Sequence, residues 1–257
     1  MILGIDIGSR SIEIIGLVQG EVVEKRRAST TFNPVAQVRD LLRGLAPRHA
    51  VATGYGRRLV QDMDLGFPVE TITEIKAHAM GAAWLFPTAR TVLDIGGQDT
   101  KAIALLPGRR VGKFEMNDRC AAGTGKFLEY TAQVFQIPIT EFGGYALRGD
   151  TPPLINSMCT VFAETEATSL MAQGVQPENI ALGLHLSIAR RTTNMLNRVG
   201  LTPPIVFVGG VAHNPCMRRL IAEQTGTKEG ETLLIPEDPD MTGALGAGLW
   251  GAEQEKS

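Results

Sequence analysis

The stretch ILGIDIGSRSIEIIGLV (residues 2–18) has a counterpart in TVLDIGGQDTKAIALL (91–106). Each is a β-rich run, an aspartate, a glycine turn and a second β-rich run. Laid over one another without gaps, Asp6, Ile7 and Gly8 fall on Asp94, Ile95 and Gly96, an offset of 88 residues. A third strand follows in each copy: EVVEKRRA after the turn at Gly20, and VGKFEM after Pro107-Gly108. This pattern predicts an internal duplication of a strand–turn–strand unit with helices between.

Outward from these units, helices are expected at 34–45, 57–63, 73–85, 123–136, 160–173, 177–199, 213–224 and 241–251. Pro34 and Pro177 suit first-turn positions, and Thr73 suits a cap. Further strands fit 49–53, 205–208 and 232–235. Alternating strands and helices define an α/β protein with covered sheets. No Ser/Gly/Pro-rich linker divides the chain.

The 257 residues are 44% hydrophobic and 20% charged, with a formal charge of −2, which is enough for sizeable cores. No basic run marks nucleic acid as a partner. No apolar run reaches about 18 residues, so no membrane helix is expected. The N-terminus turns polar too early for a signal-peptide core, which predicts a cytoplasmic protein. Three cysteines do not suit a secreted disulfide framework.

An Asp–Gly turn at a strand end has a physical use. Glycine lets backbone N–H groups approach phosphate oxygens, while Asp holds Mg²⁺, often through its water shell. One such turn is as well explained by a hairpin that needs glycine; two at matching places are harder to explain so. A third element, IVFVGGVAHNP (205–215), ends a buried strand in Gly209-Gly210 and opens a helix through Asn214 and Pro215, a layout that suits adenosine. Alone it would read as a tight strand-to-helix connection. Together the three resemble the phosphate 1, phosphate 2 and adenosine motifs of the actin, hexokinase and Hsp70 ATPase superfamily. The resemblance implies two ribonuclease-H-like lobes with ATP in the cleft. Residues 1–90 would form the first lobe and 91–240 the second, with the C-terminal helix, 241–257, returning to the first. The P-loop pattern GxxxxGK[ST] is absent.

Two further segments carry cysteines. FEMNDRCAAGTGKFLEY (114–130) places Cys120 before a glycine-rich helix start, and INSMCTVFAETEATSL (155–170) places Cys159 before another, with Thr160 as its cap. A helix N-terminus offers unpaired N–H groups and a positive dipole end, which favour thiolate and an anionic cluster. An iron–sulfur cluster takes four thiolates, and a two-fold axis between identical chains would supply them. A tetrahedral zinc could use the same four sulfurs. Cys216 reads as packing. His49, His78, His185 and His213 show no metal-binding spacing, and His78 reads as a structural residue on a packed helix.

The segments ATGYGR (52–57), EIKAHAMGA (74–82), DIGGQDTK (94–101), NDRCAAGTGKF, CTVFAETE and GGVAHN (209–214) closely resemble the activators of 2-hydroxyacyl-CoA dehydratases, a family that includes ATPase subunits of benzoyl-CoA reductases and reductases of double-cubane iron–sulfur proteins. That resemblance implies an oxygen-sensitive homodimer with one [4Fe–4S] cluster held by Cys120 and Cys159 of each subunit. It also implies ATP or ADP in each cleft, and electron transfer from a ferredoxin or flavodoxin to an iron–sulfur acceptor. Asp6 and Asp94 would organise Mg²⁺, and Gln98 or Asp99 would orient the attacking water. Gly8, Ser9, Arg10, Ser11, Gly96, Gly97 and Lys101 would meet the phosphates, and Gly209, Gly210, Val211 and Asn214 the adenosine. The chain departs from the family in its first loop, GSRSIE where GSTxxK is common, at Arg10 and Glu13. A small-molecule kinase of this fold would explain the loops but not the cysteines; a zinc-bridged nucleotide-sensing scaffold is the other alternative.

Overall fold

The computed structural model describes residues 1–118, 120–155 and 160–255, with the backbone alone for Thr160 and Val161. The first repeat forms β1 (Ile2–Ile7), β2 (Ser11–Val18) and β3 (Glu21–Ser29), followed by α1 (Pro34–Leu42), β4 (His49–Thr53), α2 (Arg57–Gln61), β5 (Val69–Thr71) and α3 (Glu74–Leu85). The second forms β6 (Thr91–Ile95), β7 (Thr100–Leu106) and β8 (Arg110–Asn117). It continues with α4 (Gly125–Val134), α5 (Ile139–Ala146), α6 (Thr160–Ala172), α7 (Pro177–Val199), β9 (Ile205–Val208), α8 (Pro215–Thr225), β10 (Leu233–Leu234) and α9 (Thr242–Gln254).

The duplication is visible in the topology. One sheet runs β3-β2-β1-β4-β5 and the other β8-β7-β6-β9-β10. In each, the hairpin strands pair antiparallel and the last two strands join in parallel. Pro34 and Pro177 open their helices, and the Thr73 side chain accepts from the Lys76 N–H, as expected of caps.

Strand periodicity sorts the layers. Leu3, Ile5 and Ile7 of β1 face Val38, Leu42 and Val60 of α1 and α2. The opposite face, with Ile15 and Leu17 of β2, packs on Ala244, Leu245 and Leu249 of α9. In the second sheet, Leu93, Ile95 and Ala102 face α4–α8, whereas Val92, Ile103 and Val208 pack on Ala79, Ala82 and Ala83 of α3. The two sheets are thus joined through α3 and α9, which cross at backbone contact. A Cβ added at Gly246 would lie 1.8 Å from the Ala77 carbonyl oxygen, and one at Gly81 2.2 Å from that of Thr242.

Two elements differ from expectation. β5 is only three residues long, too short for a periodic signal. α5 contains Gly143 and Gly144, poor helix formers, but a Cβ at Gly143 would sit 2.3 Å from Asn214 Oδ1, so packing against α8 requires the bare position.

Candidate active site between the two sheets

The same periodicity builds the site. Asp6 shares the inner face of β1 with Gly4, and Asp94 that of β6 with Val92, so the carboxylates enter the seam at the carboxyl ends of both central strands. Open α/β sheets bind ligands at such ends. Each aspartate is crowded by a glycine ending the neighbouring parallel strand. Gly54, at φ +87°, leaves no room for a Cβ beside Asp6 Oδ1 (2.4 Å), and Gly209, at φ +83°, none beside Asp94 Oδ1 (2.4 Å). Gly209 therefore serves the aspartate as well as any adenosine. Gly54 is its mate in the first half, and sequence reading did not single it out.

The turns close identically: Gly8 N–H donates to Ser11 O and Gly96 N–H to Asp99 O, both at 3.0 Å. Among the described residues no backbone acceptor takes the N–H groups of Ser9, Arg10, Gly97 or Gln98. The turns face one another, since a Cβ on Gly97 would lie 2.3 Å from Arg10 Cγ and 3.1 Å from Ser9 Oγ. Gln98 is exposed in the second turn.

Lys101 is the largest fully buried side chain among the described residues. Its Nζ donates to Asp99 at 2.7 Å and to Asp94 at 3.0 Å, and forms an ion pair with Glu74 at 2.8 Å. Burial opposes its charge, but the three carboxylates prevail and hold the ammonium firmly protonated. Burial pushes Asp99 up to about 6 despite Lys101. Burial works against Asp94 too, yet the Lys101 ammonium that donates to it at 3.0 Å helps keep its pKa below the ordinary range. Asp6 is raised well above that range, by burial and then by Glu13 and Glu74.

His78 corrects the sequence reading. Far from being a bystander on a packed helix, it reaches from α3 into the seam, with Nε2 3.4 Å from Asp94 Oδ2 and 3.9 Å from Asp6 Oδ2. Burial lowers its pKa and keeps the ring neutral. Glu74, one turn earlier, completes the Lys101 cluster. Thr53 Oγ1 and His78 Nδ1 are buried with no hydrogen-bond partner among the described residues. Two carboxylates at one seam, with the orphaned Thr53 hydroxyl in the row of Asp6, fit a hydrated Mg²⁺ that Asp6 and Asp94 would hold with nucleotide phosphates.

The adenosine element forms a short 3₁₀ turn, Gly210–His213, leading into α8. Asn214 caps α8, its Oδ1 accepting from the Met217 N–H. Its Nδ2 donates to His185 Nε2, because His185 Nδ1–H is committed to the Ala181 carbonyl. The Asn214 amide is thus occupied within the protein, and Val211 is buried.

Cys120 is exposed and free, whereas Cys216 is buried with its thiol pushed up to about 12, as packing requires. Cys159 lies outside the described residues. One expectation changes: α4 begins at Gly125, not beside Cys120, after a turn closed by Thr124 N–H and Oγ1 on Ala121 O. The first N–H groups of α4 serve the second phosphate turn instead, with Gly125 N–H to Gly96 O and Lys126 N–H to Gly97 O, both 2.8 Å. Thr100 Oγ1 donates to Gly123 O (2.6 Å), and Asn117 Nδ2 holds the carbonyls of Cys120 and Ala122. Arg10, in the first turn, pairs with Glu129 on α4.

Duplicated halves with glycine turns and paired aspartates at one seam define an actin-like ATPase. The sequence matches the BadF/BadG/BcrA/BcrD ATPase family over residues 3–251, and the chain belongs to that family. It is 41% identical to the activator of lactoyl-CoA dehydratase of Anaerotignum propionicum, over 98% of this chain and 97% of that one. Among solved structures, the activator of the 2-hydroxyisocaproyl-CoA dehydratase from Clostridium difficile, with bound ADPNP, superposes with a TM-score of 0.86 at 35% identity, covering 99% of this chain and 97% of that one. Component A of the (R)-2-hydroxyglutaryl-CoA dehydratase of Acidaminococcus fermentans gives 0.89 at 33%, covering 99% and 98%.

Proposed function

We propose that this protein is an ATP-dependent activator of an iron–sulfur acceptor, a 2-hydroxyacyl-CoA dehydratase or a double-cubane protein. It would act as a cytoplasmic homodimer with one [4Fe–4S] cluster, supplied with electrons by a ferredoxin or flavodoxin. Cys120 and Cys159 of each subunit would hold the cluster, which supplies a one-electron carrier. The relatives' activity as dehydratase activators, the nucleotide in a close structural neighbour and the exposed Cys120 support this reading.

The observation that carries it is the attachment of the second phosphate turn to the Cys120 segment. Gly96 and Gly97 carbonyls receive the first two N–H groups of α4, and Thr100 grips Gly123. A turn that moves to bind or release phosphate therefore pulls directly on the segment bearing Cys120. Asp6 and Asp94 would hold Mg²⁺ against the phosphates, with turn N–H groups binding their oxygens. Gln98 or Asp99 would orient water for hydrolysis, and return of the turns would reset the machine.

The experiment is anaerobic purification of the wild type, Cys120→Ser and Cys159→Ser, with iron and sulfide counted alongside nucleotide binding. The wild type should be brown and carry one four-iron cluster per dimer; each variant should lose iron yet still bind nucleotide. Full iron in either variant would refute the ligand assignment, and zinc in place of iron would replace the redox reading with a structural one.

A further inference from the structure

The duplication allows the two halves of the site to be compared position by position. Across the first sheet one register row reads Arg27 (β3), Glu13 (β2), Asp6 (β1), Thr53 (β4). The matching row of the second reads Met116 (β8), Lys101 (β7), Asp94 (β6), Val208 (β9). Glu13 therefore stands where the second half has Lys101. There, an ammonium directly opposes the central aspartate at 3.0 Å. Here a carboxylate opposes a carboxylate, an arrangement that destabilises a cross-strand pair.

Nothing on the first sheet makes good the missing cation at Asp6. Arg27 is one strand further out and half-exposed. Its Nε lies 3.3 Å from Glu13 Oε1 without hydrogen-bond geometry, while its Nη1 is held by Asp240 at 2.8 Å. His78 comes from α3, with Nε2 3.9 Å from Asp6 Oδ2 and nearer, at 3.4 Å, to Asp94 Oδ2. Glu13 is 4% exposed and Thr53 fully buried, and both Glu13 Oε1 and Thr53 Oγ1 lack a hydrogen-bond partner among the described residues. Both lie in the row of Asp6, on the face that meets the seam. Two carboxyl groups and a hydroxyl, with Glu13 Oε1 and Thr53 Oγ1 orphaned, offer oxygen donors alone, the donor set of a hard divalent cation.

We propose that Glu13 is a cation ligand, and that with Asp6 and Thr53 it holds a divalent metal ion in the first half of the cleft, at the place where the second half has the Lys101 ammonium. This rests on the nucleotide reading above, because two carboxylates and a hydroxyl make a lasting Mg²⁺ site only with phosphate oxygens and water completing the shell. Asp6 then lies between two ions, the Mg²⁺ it would share with Asp94 and the one it shares with Glu13, and the nucleotide binds with both. The first turn, lacking a lysine at position 13, takes its positive charge from solution.

The test is equilibrium dialysis of the full chain, prepared anaerobically, against Mn²⁺ with saturating non-hydrolysable ATP analogue, counting metal and nucleotide together. The wild type should retain a second Mn²⁺ per bound nucleotide. Glu13→Gln should lose that second ion while keeping the nucleotide, and Glu13→Lys should bind nucleotide with a single ion. If Glu13→Gln does not fold, Thr53→Val serves, with the second Mn²⁺ weakened severalfold. A single Mn²⁺ in the wild type, or an unchanged second ion in Glu13→Gln, overturns the proposal. No nucleotide binding by the wild type would instead refute the reading beneath it, and this site with it.

Discussion

Replacing Lys101 with methionine keeps a long flexible stem but removes the ammonium that Asp94, Asp99 and Glu74 share. The ammonium is 1% exposed and touches all three carboxylates at 2.7–3.0 Å. Removing one partner of a buried ionic cluster costs about 3–5 kcal/mol, chiefly because the remaining charge is left uncompensated. That is a large share of the roughly 5–15 kcal/mol that holds a typical protein folded. The pH dependence has a definite sign. Without the ammonium the folded-state carboxylate pKa values rise, so stability is retained below their unfolded values and lost as pH climbs through the folded ones. The loss in Lys101→Met should therefore be greatest at about pH 8 and shrink towards pH 5, where Asp99, already near 6 in the wild type, is protonated in both proteins. Urea unfolding in EDTA would measure it, with the m-value unchanged so that the midpoint reports stability. A loss under about 1 kcal/mol at pH 8, or one no smaller at pH 5, would refute this account of the cluster.

Gly246→Ala should destabilise by about 3 kcal/mol or more, since its methyl meets backbone of α3 rather than a side chain that can swing away; urea midpoints would show it. Arg10→Ala should cost less than about 1 kcal/mol in the same assay, because the Arg10–Glu129 pair is half-exposed on the arginine side. His185, buried and held near 4, contributes stability above its ordinary pKa that is lost as pH falls towards 4. His185→Gln should remove that acid sensitivity, worth about 3 kcal/mol, in Tm measured between pH 7 and 4.

What was legible in the sequence was whatever chain-local chemistry decides. Alternating β-branched runs and glycine turns marked the hairpins, and the repeat made Asp6 and Asp94 a pair before any coordinate did. His78 and Glu74 were hidden because a histidine in EIKAHAMGAAWL looks like packing; only the crossing with α9 turns that face to the carboxylates. A signal was present in the small residues at 77, 79, 81, 82 and 83, which announce a helix that another backbone approaches closely. The offset between Cys120 and Gly125 was illegible for a related reason: the helix starts where its N–H groups find the Gly96 and Gly97 carbonyls, a tertiary contact.

The two turns were duplicated, but their ties to α4 were not. The second turn is joined to α4 by two backbone hydrogen bonds through bare glycine, a contact that any shift of the turn must transmit. Among the described residues the first is tied to α4 through the Arg10 side chain, whose rotamers can absorb a displacement before Glu129 feels it. The charges diverge in the same direction: in the second half Lys101 opposes Asp94, whereas the first leaves Asp6 facing Glu13. A half rigidly tied to α4 suits transmission, and a half whose central aspartate faces a second carboxylate suits a bound cation. On the function proposed above, the asymmetry between Lys101 and Glu13 would divide the labour of a symmetric fold, with a metal ion met on the first sheet and the movement of the second turn passed to the Cys120 segment.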